Sequence, residues 1–196
     1  MLSMIKGMLP RPLKREVRRL VQNAWESPAY RITRRRPTDG TVRHVVFVCK
    51  GNICRSAFAE YYFRSVVPEG TLRIESCGID VNQGDFSPPE AVKVSREFRI
   101  DLSGHHSKGI AACDLQNADL IVPMEYGQYL RLTTLRPESK GKVSLLRDFA
   151  PWPERTLCNI YDPYGLGESE FRRCFLILQR ALDGLKDHLL AARGEA

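Results

Sequence analysis

The sequence predicts an α/β fold in which a parallel sheet lies between two layers of helices. Two observations favour this class. Short apolar runs that indicate buried strands alternate with longer segments of helical periodicity, and the first run ends in a glycine-containing turn that leads into a helix. Such alternation is typical of a three-layer, doubly wound sheet. Four parallel strands are expected, at 45–48, 71–76, 118–122 and 143–146.

The first strand and the helix after it flank a tight turn. Residues 45–48 form a β-branched and aromatic run, and residues 57–67 carry aromatic and apolar side chains on one side of a helix. A helix that begins at such a turn directs unpaired backbone N–H groups and the positive end of its dipole toward the loop. The turn is therefore predicted to bind an anion such as phosphate.

The composition of this turn favours chemistry on a bound phosphate. Gly51 and Asn52 are expected to adopt positive φ, so that successive N–H groups form an anion nest. Arg55 is placed to grip two phosphate oxygens. Cys49, beside that guanidinium and the Ser56 hydroxyl, is expected to ionise, and a thiolate at a bound phosphate can attack phosphorus. The full set of candidate residues is Cys49, Lys50, Gly51, Asn52, Ile53, Cys54, Arg55 and Ser56.

The spacing of Cys49 and Arg55 occurs a second time and serves as an internal control. Cys174 and Arg180 are also six residues apart, but they lie inside a helical pattern without a glycine or a turn. A continuous helix cannot form a cup of N–H donors around an anion. We therefore predict no site at Cys174. The site at Cys49 is predicted from the strand, turn and helix around it more than from its spacing to Arg55.

The remaining segments complete the alternation of strands and helices. Ser87 is expected to cap a helix that begins near Pro89, and further helices are expected at 125–135 and 168–192. His105 and the histidine after it have no second pair of ligands nearby in the sequence. A structural role in a loop is therefore favoured over a metal site or a catalytic base.

A second part of the site is expected at Asp162. Ligands of parallel sheets bind beyond the carboxyl ends of the strands, and Cys49 lies at one such end. The loop with Asp162 follows the fourth expected strand, so it should emerge on the same side. Asp162 is the candidate general acid for the leaving oxygen. Tyr164 is expected to wall the cup, where its ring could stack on an aromatic group, and Lys50 at the rim should favour acidic or phosphate-flanked peptides.

The N-terminal region is predicted to be a basic extension, residues 1–42, ahead of one domain at 43–196. Residues 1–44 contain 11 Lys and Arg against 3 Asp and Glu, a net charge of +8, whereas the rest of the chain sums to −1. The body of the protein is thus near neutral, and no nucleic-acid partner is expected. Only the extension is a candidate for contact with an anionic surface.

Within the extension, apolar residues at helical spacing predict an amphipathic helix over 13–25, interrupted by Pro28 and followed by a linker at 34–40. Two interpretations remain open. In the first, the helix is an accessory element that docks on the domain through Leu13, Val17, Leu20 and Trp25. In the second, it binds a partner or the surface of a membrane.

Composition excludes several other classes. No run approaches 18 apolar residues, and the N-terminus lacks the apolar core of a secretory signal, so a cytoplasmic protein is expected, peripheral at the membrane if the extension binds lipid. The six cysteines are scattered and none has C-x-x-C spacing. A disulfide framework and a zinc site are therefore not predicted.

The turn resembles the signature of the low-molecular-weight protein tyrosine phosphatases. The motif runs from Cys49 to Ser56, and Asp162-Pro163-Tyr164 is similar to a segment near the carboxyl end of that family. Between them, Gly104-His105 and the segment 118–121 ahead of Met124 resemble other family segments in the expected order. The resemblance covers residues 43–192 and leaves the N-terminal extension outside.

The resemblance implies hydrolysis of phosphotyrosine in cytoplasmic proteins through a phosphocysteine, with Cys49 as nucleophile, Arg55 as phosphate clamp and Asp162 as general acid. It implies neither a metal nor another cofactor. Bacterial members often act on membrane tyrosine kinases, which makes such a kinase a candidate partner. Two alternatives remain: an arsenate reductase of the same fold, which would need resolving cysteines such as Cys77 and Cys113, and a non-catalytic phosphate-binding module.

The sequence also raises the question of whether the cup is redox-sensitive. Cys54 lies five residues after Cys49 on the same tight loop. A reversible disulfide between them would protect the thiolate from overoxidation. The alternative is that Cys54 is an inert buried thiol.

Overall fold

The computed structural model of the protein describes residues 10–34, 42–81 and 84–193, so most of the predicted linker at 34–40 lies outside the described residues. The sheet consists of β1 (His44–Cys49), β2 (Arg73–Gly78) and β3 (Leu120–Pro123). The strands are parallel and lie in the order β2-β1-β3. Because β1 is central, all six of its residues are buried.

The expected fourth strand is wrong. Val143 forms only an isolated parallel bridge with Ile121, and the described part of the chain has a three-stranded sheet. The backbone then leaves the sheet, because the N–H of Leu145 donates to the Tyr30 hydroxyl at 3.0 Å instead of to a strand. Residues 146–149 continue as a turn of 3-10 helix.

Five α-helices surround the sheet in the described residues. They are α1 (Arg11–Thr33), α2 (Arg55–Val66), α3 (Pro89–Ser95), α4 (Tyr126–Leu135) and α5 (Glu168–Ala191). The expected cap of α3 is wrong: Pro88 occupies the N-cap position, and the buried Ser87 hydroxyl has no hydrogen-bond partner among the described residues. The two prolines fix the backbone at the start of this helix without a side-chain cap.

Alternate residues of β1 face two separate apolar layers. Val45 and Phe47 pack with α2, α3 and α5, whereas Val46 and Val48 pack with α4 and with Tyr30 of α1. A strand that is apolar on both sides must be covered on both sides, which produces the three layers. The doubly wound α/β class predicted from the sequence is therefore confirmed.

Helix α1 docks on the domain in the reverse of the expected orientation. It continues through Pro28 to Thr33, and its polar face contacts the body: Arg15 and Arg19 pair with Glu170 at 2.9 and 3.1 Å. Tyr30 is buried and its hydroxyl donates to Asp148. The residues expected to pack on the domain, Leu13, Val17, Leu20 and Trp25, are exposed instead.

The described helices include none that is long and apolar enough to cross a membrane. α1 has sufficient length, but charged residues occupy its docked face and parts of its outer face.

Gly184 of α5 provides a test of this packing. A Cβ added there would lie 2.0 Å from the carbonyl oxygen of Phe149, a backbone atom that cannot rotate away. We expect Gly184→Ala to lower the free energy of unfolding by about 1–3 kcal/mol or more. Gly127→Ala in α4, where an added Cβ meets nothing within 4 Å, is the matched control and should be neutral or slightly stabilising. The measurement is the free energy of unfolding of both variants in urea. Equal stabilities of the two variants would contradict the close approach of α5 to the Phe149 carbonyl.

Candidate active site

The thiol of Cys49 lies at the carboxyl end of the central strand and is surrounded by donors. Its Sγ is 2.9 Å from the Ser56 hydroxyl, and the backbone N–H of Asn52 donates to it at 3.2 Å. Cys49 is buried, and α2 begins with Arg55 directly beyond the loop. The Ser56 hydroxyl, the Asn52 N–H and the first turn of α2 are thus all close to this sulfur.

Asn52 fixes the conformation of the loop between Cys49 and Arg55 through its backbone and its side chain. Its φ of 51° is left-handed, and its side-chain amide donates to Ser56 Oγ at 2.9 Å and to Ser76 Oγ at 2.8 Å. Its Oδ1 accepts from the N–H of Lys108 at 2.9 Å. Asn52 tolerates this backbone conformation better than most residues, and its contacts link the loop to β2 and to the segment around Lys108. The positive φ expected at the neighbouring Gly51 is wrong.

Two further residues shape the loop. His105 Nε2 lies 2.7 Å from the carbonyl oxygen of Asn52, and because a carbonyl only accepts, this nitrogen carries the hydrogen. Burial lowers the pKa of His105, which favours this neutral form, and the hydrogen bond to the loop supports the predicted structural role. At the end of β2, a Cβ on Gly78 would approach the Lys50 oxygen to 2.8 Å and the Asn52 nitrogen to 2.9 Å. Glycine is therefore required where β2 passes beneath the loop.

Arg55 joins three segments of the chain. Its guanidinium is 1% exposed; Nη1 contacts Glu125 and donates to the Ile160 carbonyl at 2.9 Å, and Nη2 donates to Asp162 Oδ2 at 2.7 Å. Burial acts to lower the pKa of Arg55, but the carboxylates of Asp162 and Glu125 outweigh it and raise that pKa above its ordinary value. Its buried Nε has no hydrogen-bond partner in the described residues.

Asp162 lies within one hydrogen bond of the Arg55 guanidinium. Its Oδ1 accepts from the backbone N–H of Tyr164 at 3.2 Å, which fixes the turn that carries the carboxylate. Pro163 restricts the backbone between them. A group bound at Arg55 would therefore be in reach of Asp162, although the expected fourth strand, from which this proximity was argued, does not form.

The structure brings most of the predicted site residues to one cavity. Asn52 and Ser56 lie beneath it and contact Cys49 instead of lining it. Lys50 and Tyr164 are exposed at the rim. The residues that line the cavity are Cys49, Lys50, Gly51, Ile53, Cys54, Arg55, Asp80, Asp162 and Tyr164.

Sequence reasoning missed two acidic residues of the site. Asp80, which pairs with Arg131, lines the cavity, and Glu125 contacts Arg55. A signal existed for Glu125, because it follows β3 at the same edge of the sheet where Cys49 ends β1. In the part of the chain that the structure describes, no group of three or more His, Cys, Asp or Glu side chains could hold a metal ion.

This fold and site define a class: an α/β phosphatase with a cysteine at the floor of an anion cup. The family model described as "Low molecular weight phosphotyrosine protein phosphatase" matches residues 44–194. The chain belongs to this family and is accordingly a protein-tyrosine-phosphatase, a hydrolase of phosphoric monoesters. The fold and family expected from the motifs are confirmed.

Individual proteins support the assignment. The chain is 36% identical over 138 residues to the low molecular weight protein-tyrosine-phosphatase Wzb of Escherichia coli K12, which covers 70% of this chain and 89% of that protein. Wzb from Escherichia coli K30, solved with sulphate, is similar with a TM-score of 0.67 and 26% identity over 76% of this chain and 99% of that chain. The YwlE arginine phosphatase of Geobacillus stearothermophilus is similar with a TM-score of 0.70 and 25% identity, over 78% of this chain and 96% of that chain.

The buried Cys54 generates a test of redox protection. Burial and the nearby groups Asp162 and Cys49 raise the pKa of Cys54 well above its ordinary value, so Cys49 is the sulfur that peroxide should oxidise first. We predict that the resulting sulfenic acid condenses with Cys54 to a disulfide, with loss of water. After peroxide and then reductant, Cys54→Ser should recover less of its own starting activity than wild type does. Cys113→Ser, a buried cysteine outside the cavity, is the control; equal recovery in all three proteins would show that Cys54 is inert.

Proposed function

We propose that this enzyme hydrolyses phosphotyrosine in proteins through a phosphocysteine intermediate, using Cys49, Arg55 and Asp162. The observation that carries the proposal is the cavity these three side chains share, with the thiol at its floor and the acid one hydrogen bond from the clamp. The catalytic unit is proposed to be residues 43–196, with residues 1–42 as an extension. No metal or other cofactor takes part in the proposed steps.

In the first step the Cys49 thiolate attacks phosphorus. A sulfur–phosphorus bond forms, the bond from phosphorus to the phenolic oxygen breaks, and its electron pair leaves with that oxygen. Asp162 donates the proton that the oxygen needs, an effect of about 10²–10⁴ in rate. The Ser56 hydroxyl and the Asn52 N–H stabilise the thiolate before attack and when it leaves again.

In the second step water attacks the phosphocysteine. Asp162, now a carboxylate, accepts a proton from that water, the phosphorus–sulfur bond breaks, and the electron pair returns to Cys49 as thiolate. Phosphate is released. The same carboxyl group therefore serves as acid and then as base, which requires it to remain beside the reacting oxygen in both steps.

Arg55 is proposed to clamp the transferred phosphoryl group. Its buried Nε has no partner among the described residues, and an unpaired buried donor costs about 1–3 kcal/mol. Phosphate oxygens would satisfy this donor together with Nη2, in the bidentate geometry that a guanidinium offers. The loop N–H groups at the start of α2 complete the stabilisation of the equatorial oxygens.

The rim supports an aryl phosphate in an acidic peptide as the substrate. Tyr164, 60% exposed, can stack on the substrate ring, and Ile53 adds an apolar wall. Lys50 favours acidic neighbours of the phosphotyrosine and disfavours a cationic leaving group such as the guanidinium of phosphoarginine. Phosphoarginine peptides are therefore the informative contrast, since one similar structure is an arginine phosphatase.

The two rival functions fit the residues less well. An arsenate reductase needs resolving thiols that can reach the cup, but Cys77 is buried within β2 and Cys113 is buried against the Ser76 carbonyl. A pure phosphate-binding module would be weakened by Asp162, because a carboxylate beside the bound dianion repels it. An acid at that position is useful for turnover and costly for binding alone.

Two substitutions test the mechanism. Cys49→Ser should abolish turnover of a phosphotyrosine peptide, because an alcohol does not ionise in this cup, and Arg55→Lys should lose at least about 10²-fold, because a point charge cannot grip two oxygens. Release of inorganic phosphate by wild type and both variants is the measurement. Arg18→Ala, on the exposed side of α1, is the control. Substantial residual turnover by Cys49→Ser, or faster hydrolysis of phosphoarginine peptides by wild type, would contradict the proposal.

We also propose that the enzyme is cytoplasmic and contacts membranes through α1, where a membrane tyrosine kinase is a candidate substrate. All six cysteines are free and buried, which suits a reducing compartment. The outward face of α1 carries exposed apolar side chains, with Trp25 78% and Ile32 84% exposed. Lys14 and Arg18 lie on the exposed side of the same helix. An apolar face beside basic residues is the composition of an interfacial helix.

Vesicle binding tests this contact. We expect sedimentation with phosphatidylglycerol vesicles at low salt and less at high salt, since each basic residue near an anionic surface contributes about 1 kcal/mol. The double variant Leu20→Glu/Trp25→Glu should bind at least about tenfold more weakly. Trp152→Glu is the matched control, because Trp152 is equally exposed but lies outside α1. Equal binding of both variants, or a wild type that ignores vesicles, would contradict the proposal.

A further inference from the structure

Helix α1 contacts the segment that leads directly into Asp162. This acid-loop segment, residues 158–161, is the approach by which the chain delivers the carboxylate to the cup. Its contacts with α1 join residues more than 130 positions apart in the sequence. They lie at the polar, docked face of α1, away from the exposed apolar face.

Asn23 is the centre of these contacts. It is buried, its side-chain Nδ2 donates to the Tyr161 hydroxyl at 2.8 Å, and its Oδ1 accepts from the N–H of Cys158 at 3.4 Å. The Tyr161 hydroxyl in turn donates to the Arg19 carbonyl at 2.8 Å, and the Arg19 guanidinium lies 5.0 Å above the Tyr161 ring. Both ends of the acid-loop segment are thus tied to one turn of α1.

A second tie runs through Asn159. Its Nδ2 donates to Glu26 of α1 at 2.6 Å, and its Oδ1 accepts from the N–H of Tyr126 at 2.8 Å. Tyr126 begins α4 directly after Glu125, the residue that contacts Arg55. Asn159 therefore connects α1 to the same end of the sheet at which the clamp is held.

The acid-loop segment has a different set of contacts on its inner side. The N–H of Ile160 donates to the Met124 carbonyl at 2.8 Å, and the Ile160 carbonyl accepts from Arg55 at 2.9 Å. These inner contacts fix Ile160. Tyr161, the residue next to Asp162, has its carbonyl contacted by the Cys174 thiol at 3.6 Å and its hydroxyl bound by Asn23 and Arg19 of α1. The contacts with α1 therefore hold the Tyr161 side chain directly before Asp162 and contribute to the direction in which the chain leaves toward that residue.

We propose that α1 is a positioning element of the catalytic site and that Asn23 is its principal positioning residue, which orients Asp162 toward the leaving oxygen by holding Tyr161 and Cys158. The inference rests on the proposed role of Asp162 as general acid. A helix that only anchored the enzyme would need no contact with the acid-loop segment. A helix that positions the acid changes proton transfer when its contacts are removed, even while the rest of the site is intact.

The dependence of kcat/KM on the leaving group separates positioning from stability. In a series of aryl phosphates, the higher the pKa of the phenol that leaves, the more its departure depends on the proton from Asp162. The parameter kcat/KM is used because it reports the steps up to departure of the phenol. The variants are Asn23→Ala and Tyr161→Phe, each of which removes the contact from one side. Tyr30→Phe is the matched control, because Tyr30 also tethers α1 to the body but contacts Asp148 and Leu145 instead of the acid-loop segment.

We expect Asn23→Ala and Tyr161→Phe to make kcat/KM fall more steeply as the pKa of the leaving phenol rises. Their kcat/KM should fall about tenfold for phenyl phosphate, within the range of a general acid, and much less for nitrophenyl phosphate, which has a good leaving group. The double variant should lose less than the product of the two single losses, because both substitutions remove the hydrogen bond between Asn23 and Tyr161. Tyr30→Phe should lower the melting temperature, but its kcat/KM should depend on the pKa of the leaving phenol with the same slope as in wild type.

Asp162→Asn supplies the reference slope and keeps the two proposals distinguishable. If Asp162→Asn leaves the dependence unchanged, the assignment of Asp162 as general acid is wrong, and the inference fails with it. If Asp162→Asn steepens the dependence while Asn23→Ala and Tyr161→Phe keep the wild-type slope, only the role of α1 is overturned. A Tyr30→Phe variant as steep as Asn23→Ala would likewise overturn it, because docking in general would then be responsible.

Discussion

The buried guanidinium of Arg55 is the interaction on which the site depends. Removing such a charge from water costs several kcal/mol unless it is paired and hydrogen-bonded. Here the pairing comes from Glu125 after β3, from the carbonyl of Ile160, and from Asp162. The contacts that make this burial tolerable therefore also bring Arg55 and Asp162 together at the start of α2. Removing one carboxylate would leave part of a buried charge without a partner, so stability and geometry are coupled here.

How much of the site could be predicted depends on sequence separation. The cup is local: strand, turn and helix follow one another within about twenty residues, and each has its own propensity. Asp162 was reached only through the rule for parallel sheets, and Glu125, 70 residues from Arg55, is indicated only by its position after β3. The fourth strand failed for a related reason. Its sequence favours a strand, but the hydroxyl of Tyr30, 115 residues earlier, accepts the hydrogen bond from the N–H of Leu145.

The orientation of α1 could not be predicted because the usual rule fails there. An amphipathic helix normally buries its apolar face, which was the basis for expecting Leu20 and Trp25 against the domain. The surface that α1 meets is polar, however: Glu170, Asp148 and the residues before Asp162 offer carboxylates, carbonyls and a tyrosine hydroxyl. Hydrogen bonds and ion pairs therefore select the face of the helix, a property of the receiving surface that periodicity does not contain.

The distance along the chain between α1 and its partners has a consequence for biosynthesis. Tyr161 and Glu170 are made 138 and 155 residues after Asn23 and Arg15, so α1 leaves the ribosome well before the segments that it contacts. During that interval neither face of the helix has its final environment, and its apolar side chains are open to chaperones or lipid. Helix α1 therefore reaches its native contacts only long after its own synthesis, and the surroundings of Asp162 are complete only when both segments are present.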